Sequence, residues 1–234
     1  MGKTGTLYGI GIGPGDPELL TLKAARLLAG VPVLAWPAPA EGDGMARSIA
    51  APHIPPGRIE IPIRMGFTMD RAGTDAAYDR AGAEIALHLE AGRDVAVLCE
   101  GDPFFFGSFI YLFARLSDRF SVEVVPGVSS VMAASAELQA PVSAWDDAVA
   151  VIPATKDEPG IEALVAAADA IVFMKVGRHL PKIRRVLERH GLWDKARAIE
   201  RIGLPGQRIH PRGSLTELPY FSIILVHRRG DAWL

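Results

Sequence analysis

Three short segments of this 234-residue chain combine glycine with acids or hydroxyls in patterns able to hold a ligand. They are Gly9-Ile10-Gly11-Ile12-Gly13-Pro14-Gly15-Asp16, Glu100-Gly101-Asp102-Pro103-Phe104-Phe105, and Pro126-Gly127-Val128-Ser129-Ser130. Glycine admits close backbone approach, while carboxylates and hydroxyls supply hydrogen bonds. The first segment invites a dinucleotide reading, but G-x-G-x-x-G fails from both Gly9 and Gly11, because its last position holds Pro14 or Asp16. The ribose-binding acid expected about 20 residues on is missing too, since the second strand ends in Ala35, Trp36 and Pro37. NAD is disfavoured. Gly2-Lys3-Thr4 matches only the last residues of a phosphate-binding P-loop, without its upstream glycine and strand. Each segment also has a simpler reading as a turn: Asp16 would cap a helix beginning near Pro17, and Ser129 and Ser130 would cap the helix after them.

The elements around these segments place all three at one edge of a sheet. Leu7 to Ile12 reads as a strand leading through a tight turn into a helix that carries Leu19, Leu22 and Leu27, with Gly30 as its stop. Val31 to Ala35 reads as a short buried strand, and a helix from about Thr74 to Glu90 leads to the continuously apolar strand Val95 to Cys99. Helix Phe106 to Leu116, strand Val122 to Val125 and helix Ser129 to Leu138 follow. Such alternation predicts a mostly parallel sheet, and ligands of such sheets bind beyond the carboxyl ends of the strands.

The pattern restarts after the glycine-, proline- and polar-rich stretch Pro141 to Asp147, which sets expected domains of 1–143 and 144–234. The second half predicts strands at Ala148–Ile152, Ala170–Met174, Ala196–Arg201, Gln207–His210 and Phe221–Val226, and helices at Ile161–Ala167 and His179–His190. With few helices between its last strands, its sheet should be mixed. The expected class is therefore α/β with two α/β domains, an N-terminal mostly parallel sheet and a C-terminal mixed one.

A formal charge of -2 gives no global basic excess for nucleic acid or an anionic membrane. The N-terminus lacks a signal-peptide pattern, and no apolar run approaches the roughly 20 residues needed to span a bilayer. The single cysteine, Cys99, excludes an internal disulfide and a cysteine-rich zinc site, and fits a reducing, cytoplasmic location. It reads as a small buried hydrophobe. The six histidines show no helical metal-ligand pair, so no metal is expected.

Taken in order, the G-x-G-P-G-D, G-D-P and P-G-V-S-S segments resemble the tetrapyrrole methylase family. The likeness continues through Ile171 to Arg178, Glu200-Arg201 and Pro205 to Arg208. Leu7-Tyr8-Gly9, Pro14 to Thr21, Cys99 to Phe105 and Met174 to Arg178 look most like the branch that methylates C20 of precorrin-2. The resemblance implies a two-domain, usually homodimeric enzyme that folds S-adenosylmethionine between its halves and acts on a precorrin-type tetrapyrrole. By matching motifs, Pro14, Glu100, Gly101, Asp102, Phe105, Ser129, Ser130, Met174 and Gly203 would lie near the cofactor. Asp16 would face the substrate. Members that methylate uroporphyrinogen III carry an acid where this chain has Ala35 or Trp36, which favours a later pathway step. Alternatives are methylation of the cobalt-containing substrate or of another ring position, or a non-catalytic module that binds a tetrapyrrole or S-adenosylmethionine.

A sulfonium methyl is already activated, so the reaction that the resemblance implies asks the protein mainly to align and desolvate. Glu100 is one acceptor for the proton that must leave the attacked carbon, beside water or a substrate carboxylate, and no catalytic base is assigned. The acetate and propionate groups of a precorrin call for local cations. Arg64, Arg71, Arg178 and Arg212, placed in predicted loops, are the candidates, against the ordinary reading that loop arginines are solvated.

Overall fold

The computed structural model describes residues 3–65 and 71–233, without the side chains of residues 71 and 72. Its contacts divide the chain into two compact units, Met1–Ser129 and Ser130–Leu234.

The first unit runs β1 (Leu7–Gly11), α1 (Leu22–Gly30), β2 (Val33–Ala38), α2 (Met45–Ala50), β3 (Ile59–Arg64), α3 (Arg71–Glu90), β4 (Val95–Cys99), α4 (Phe109–Leu116) and β5 (Val122–Val125). The five strands form one parallel sheet in the order β3-β2-β4-β1-β5. β4 is buried along its whole length, as its unbroken apolar run requires. Ile85 and Leu89 of α3 and Phe109 and Leu112 of α4 pack with Leu7, Val33, Val95 and Val97 in the core. The order sets β4, β1 and β5 side by side, and parallel strands in register bring the segments after them to one edge.

The second unit runs α5 (Ser130–Glu137), β6 (Val149–Pro153), α6 (Glu158–Ala167), β7 (Ala170–Met174), α7 (Leu180–Arg189), β8 (Arg197–Glu200), β9 (Arg208–His210) and β10 (Ser222–His227). Its sheet, in the order β6-β7-β10-β8-β9, is mixed: β6 and β7 are parallel and the remaining pairs antiparallel. α7 buries Leu180, Ile183, Val186 and Leu187, the face its spacing predicts. α5 lies against β10 and groups with this unit.

Three expectations need correction. The helix expected from Pro17 is split: a 3-10 turn covers Pro17–Leu19, Leu20 is extended, and α1 starts at Leu22 because the Thr21 hydroxyl caps the Ala24 N–H at 3.1 Å. α2 and β3 were not expected at all. Arg64 is therefore the last residue of β3 and Arg71 the first of α3, neither in a loop, and the Arg71 side chain lies outside the described residues. Among the described residues, no helix is long and apolar enough to cross a membrane.

Candidate functional site

The segments after β1, β4 and β5 meet through their backbones. Gly13 and Gly101 exchange hydrogen bonds, Gly101 N–H to Gly13 O at 2.8 Å and Gly13 N–H to Gly101 O at 3.3 Å. A β-carbon on Gly11 would stand 2.6 Å from the Gly127 backbone and 2.7 Å from Gly101 O, and one on Gly127 would overlap Gly101 O. Only glycines let three segments lie this close. The expected juxtaposition of the loops is present, and the glycines at its seam are explained by packing.

Asp102 is the clamp of this seam. One carboxylate oxygen accepts from the Phe104 and Phe105 N–H groups at 2.9 and 3.1 Å, and the other from Gly127 N–H at 3.0 Å. Asp16 accepts from Glu18 N–H at 2.8 Å, capping the 3-10 turn rather than a long helix. Pro14 is half-buried in the loop between Gly13 and Asp16. Ser129 closes the third segment and Ser130 opens α5.

Glu100 differs from both aspartates. Its side chain is exposed, yet enough protein surrounds it that desolvation holds its carboxyl above the ordinary range. No hydrogen bond or ion pair reaches that carboxylate among the described residues. The neighbouring Cys99 thiol is buried and pushed up to about 12, chiefly by desolvation, so it is inert at neutral pH. Phe104, Phe105 and Phe106 are all exposed. Phe104 sits edge-on to Phe113 of α4 at 5.2 Å, whereas Phe105 and Phe106 pair with each other at 5.1 Å. Phe106 holds φ +57, a left-handed conformation costly for a bulky residue and typical of positions held for function.

In the second unit, Met174 ends β7 and Gly203 lies in the turn after β8. Gly203 N–H donates to Gln207 Oε1 at 2.6 Å, and Gln207 in turn donates to Glu137 of α5 at 2.7 Å. Lys175, just past Met174, has φ +57. Arg178 is exposed on the 3-10 turn Gly177–His179 and has no partner among the described residues. Burial lowers the pKa of His179, and the charges of Lys182 and Arg178 add to it. Of the other arginine candidates with described side chains, Arg64 donates to the Pro39 and Gly42 carbonyls and holds the connection after β2, and Arg212 pairs with Asp231 at 2.9 Å. Among the described residues, no cluster of metal ligands occurs. The Asp102 clamp and the Gly203–Gln207–Glu137 chain were beyond sequence reasoning. The motifs single out Asp102, Gly203 and Gln207 but not the contacts they make.

Residues 6–219 match the model of one family, described as Tetrapyrrole (Corrin/Porphyrin) Methylases. The chain belongs to this family. Among curated tetrapyrrole methylases, it is 41% identical over 97% of its length to the cobalamin biosynthesis protein CobIJ of Mycobacterium tuberculosis, but spans only 46% of that protein. It is 40% identical to a precorrin-2 C(20)-methyltransferase from Sinorhizobium, covering 95% of both chains. It is 31% identical to a cobalt-precorrin-2 C(20)-methyltransferase of Salmonella typhimurium, covering 97% of this chain and 98% of that one. Among solved tetrapyrrole methylases, a uroporphyrin-III C-methyltransferase from Thermus thermophilus complexed with S-adenosyl homocysteine superposes with a TM-score of 0.69. Identity is 26%, over 95% of this chain and 92% of that one.

Proposed function

We propose that this chain transfers the methyl group of S-adenosylmethionine to C20 of a precorrin-2-type tetrapyrrole, as a step of cobalamin biosynthesis. The observation that carries the reading is the 40% identity, end to end, with a protein named for that reaction. The joined loops of the first unit support it.

The residues present fit the cofactor. Glycine backbones at the seam admit close approach, and the Glu100 carboxylate, without a partner among the described residues, suits a cationic ligand. Pro14, Glu100, Gly101, Asp102, Phe105 and Ser129 are the first unit's proposed contacts, and Ser130, Met174 and Gly203 the second unit's. When bound, S-adenosylmethionine supplies a sulfonium methyl that needs no further activation. Asp102 acts through the backbone it fixes, holding the second and third segments in one geometry. Phe105 and Phe106 offer apolar surface that excludes water from a flat macrocycle. Arg178, without a partner among the described residues, is proposed to pair with a substrate carboxylate, with Asp16 facing the ring and Arg64 reaching it only by leaving its carbonyls.

The cobalt-containing substrate is the second reading, favoured by the likeness to the Salmonella protein. The proposal extends to a homodimer, which follows from the family resemblance, and to the cytoplasm, which suits the single cysteine. Incubation with methyl-labelled S-adenosylmethionine and either precorrin-2 or its cobalt form tests the assignment. One label at C20 is expected. A protein that binds the cofactor and transfers no label to either substrate is a binding module.

A further inference from the structure

We propose that Glu100 is the proton acceptor of the methyl transfer, taking the hydrogen of the methylated ring carbon. The proposal rests on the C20-methyltransferase reading above and adds to it the base that the reaction needs.

The three joined segments carry four acids: Asp16 and Glu18 after β1, and Glu100 and Asp102 after β4. Asp102 is saturated, accepting three backbone N–H groups. Asp16 is committed to its cap, and Glu18 is exposed on the turn that this cap begins. Glu100 follows the last residue of β4 and directly precedes Gly101, whose backbone is bridged to Gly13, so the seam fixes its position. Its side chain is exposed and without a partner among the described residues, and desolvation raises its pKa above the ordinary range. Carboxylates perturbed by their surroundings gather at functional sites.

The other groups near this edge do not serve. The Cys99 thiol is buried and stays protonated at neutral pH. The Ser129 and Ser130 hydroxyls are far too weak as bases.

In the step itself, the ring carbon bonds to the methyl carbon as the methyl–sulfur bond breaks and sulfur keeps its electron pair. The C–H bond at the methylated carbon then breaks. Its electron pair returns to the conjugation of the macrocycle, and the proton passes to the Glu100 carboxylate and on to water.

The test compares the full-length chain with its Glu100→Gln, Glu100→Asp and Glu100→Ala variants. S-adenosyl homocysteine, which lacks the sulfonium charge, is the binding probe, and calorimetry should give all four chains the same affinity within about 2-fold. Turnover of precorrin-2 by Glu100→Gln should fall on the order of 100-fold or more, the usual worth of a general base. Glu100→Asp should recover part of it and show a larger isotope effect with substrate deuterated at C20. Added formate should partly restore Glu100→Ala. Glu100→Gln turnover at the wild-type rate overturns the proposal. So does a loss of S-adenosyl homocysteine affinity as large as the loss of turnover, without formate rescue, because Glu100 then serves cofactor binding alone. A wild-type chain that binds the probe but moves no label overturns the methyltransferase reading itself, and this proposal with it.

Discussion

The Asp102 carboxylate reaches from the segment after β4 to the backbone N–H of Gly127 in the segment after β5, 3.0 Å away. Its other oxygen holds the Phe104 and Phe105 N–H groups. The acid of the G-D-P motif is therefore a tie between loops. Replacing it with alanine strands three donors, partly rescued by solvent because Asp102 is only half-buried. Asp102→Ala should lose about 2 kcal/mol of stability, seen as a lower urea midpoint, together with most of its S-adenosyl homocysteine affinity. A variant that unfolds and binds like wild type would show that the tie holds nothing.

Gly127 tests the seam from the other side. Gly127→Ala drives a methyl group into Gly101 O and towards Gly11 Cα, both backbone atoms that cannot turn away. It should cost about 1–3 kcal/mol and weaken cofactor binding. Gly30→Ala is the control. Nothing lies within 4 Å of a β-carbon there, at the last residue of α1, so the change should be neutral or stabilise by up to about 1 kcal/mol. Equal thermal midpoints for the two variants would contradict the close approach.

What the chain revealed of this arrangement depended on how far each signal was local. β4 and β7 stand where their apolar runs predict, since a strand flanked on both sides has one composition available to it, and β5, though at the edge, kept an apolar run interrupted only by Glu123. β3 escaped because it is an edge strand, Ile-Glu-Ile-Pro-Ile-Arg, with polar residues and a proline. β2 runs on through Pro37 because beyond Ala35 only β3 pairs with it, so a missing N–H is tolerated there. α2, six residues long, starts from Gly44 without a side-chain cap. The three ligand segments were legible as motifs. Which of their acids is spent on backbone and which is free was not, because that depends on contacts between segments: Asp102 and Gly127 are 25 residues apart.

The second unit contains a separate acid-sensitive latch. Asp147, whose side chain is almost fully buried, accepts from the Ala144 N–H at 2.7 Å, meets His227 Nε2 at 3.0 Å and pairs with Arg229. The Ala144 hydrogen bond first, and then those to His227 and Arg229, outweigh desolvation and bring its pKa from 3.8 down to about 2. A carboxyl whose folded value is depressed stabilises fully above its unfolded value and loses that contribution as pH falls through the folded one. Wild type should therefore exceed Asp147→Asn in thermal midpoint at pH 5, and the gap should shrink between pH 4 and pH 2. A gap of constant size over that range would remove the latch.

Arg178 carries the last prediction, because it is the one arginine candidate that the described structure leaves without a partner. Arg64 and Arg212 are occupied by carbonyls and by Asp231, so removing either should disturb local structure more than substrate binding. Arg178 instead lies exposed on the turn after β7, where its charge and that of Lys182 add to the burial that lowers the His179 pKa. One charge-assisted hydrogen bond to a substrate carboxylate is worth about 1.5–3 kcal/mol. Arg178→Ala should then raise KM for precorrin-2 roughly 10- to 100-fold, by the conversion of about 1.4 kcal/mol per factor of ten. The thermal midpoint and S-adenosyl homocysteine affinity should stay at wild-type values. Arg178→Lys should regain only part of the loss, because a single ammonium lacks the bidentate fork. An unchanged KM in Arg178→Ala would place the substrate's carboxylates elsewhere.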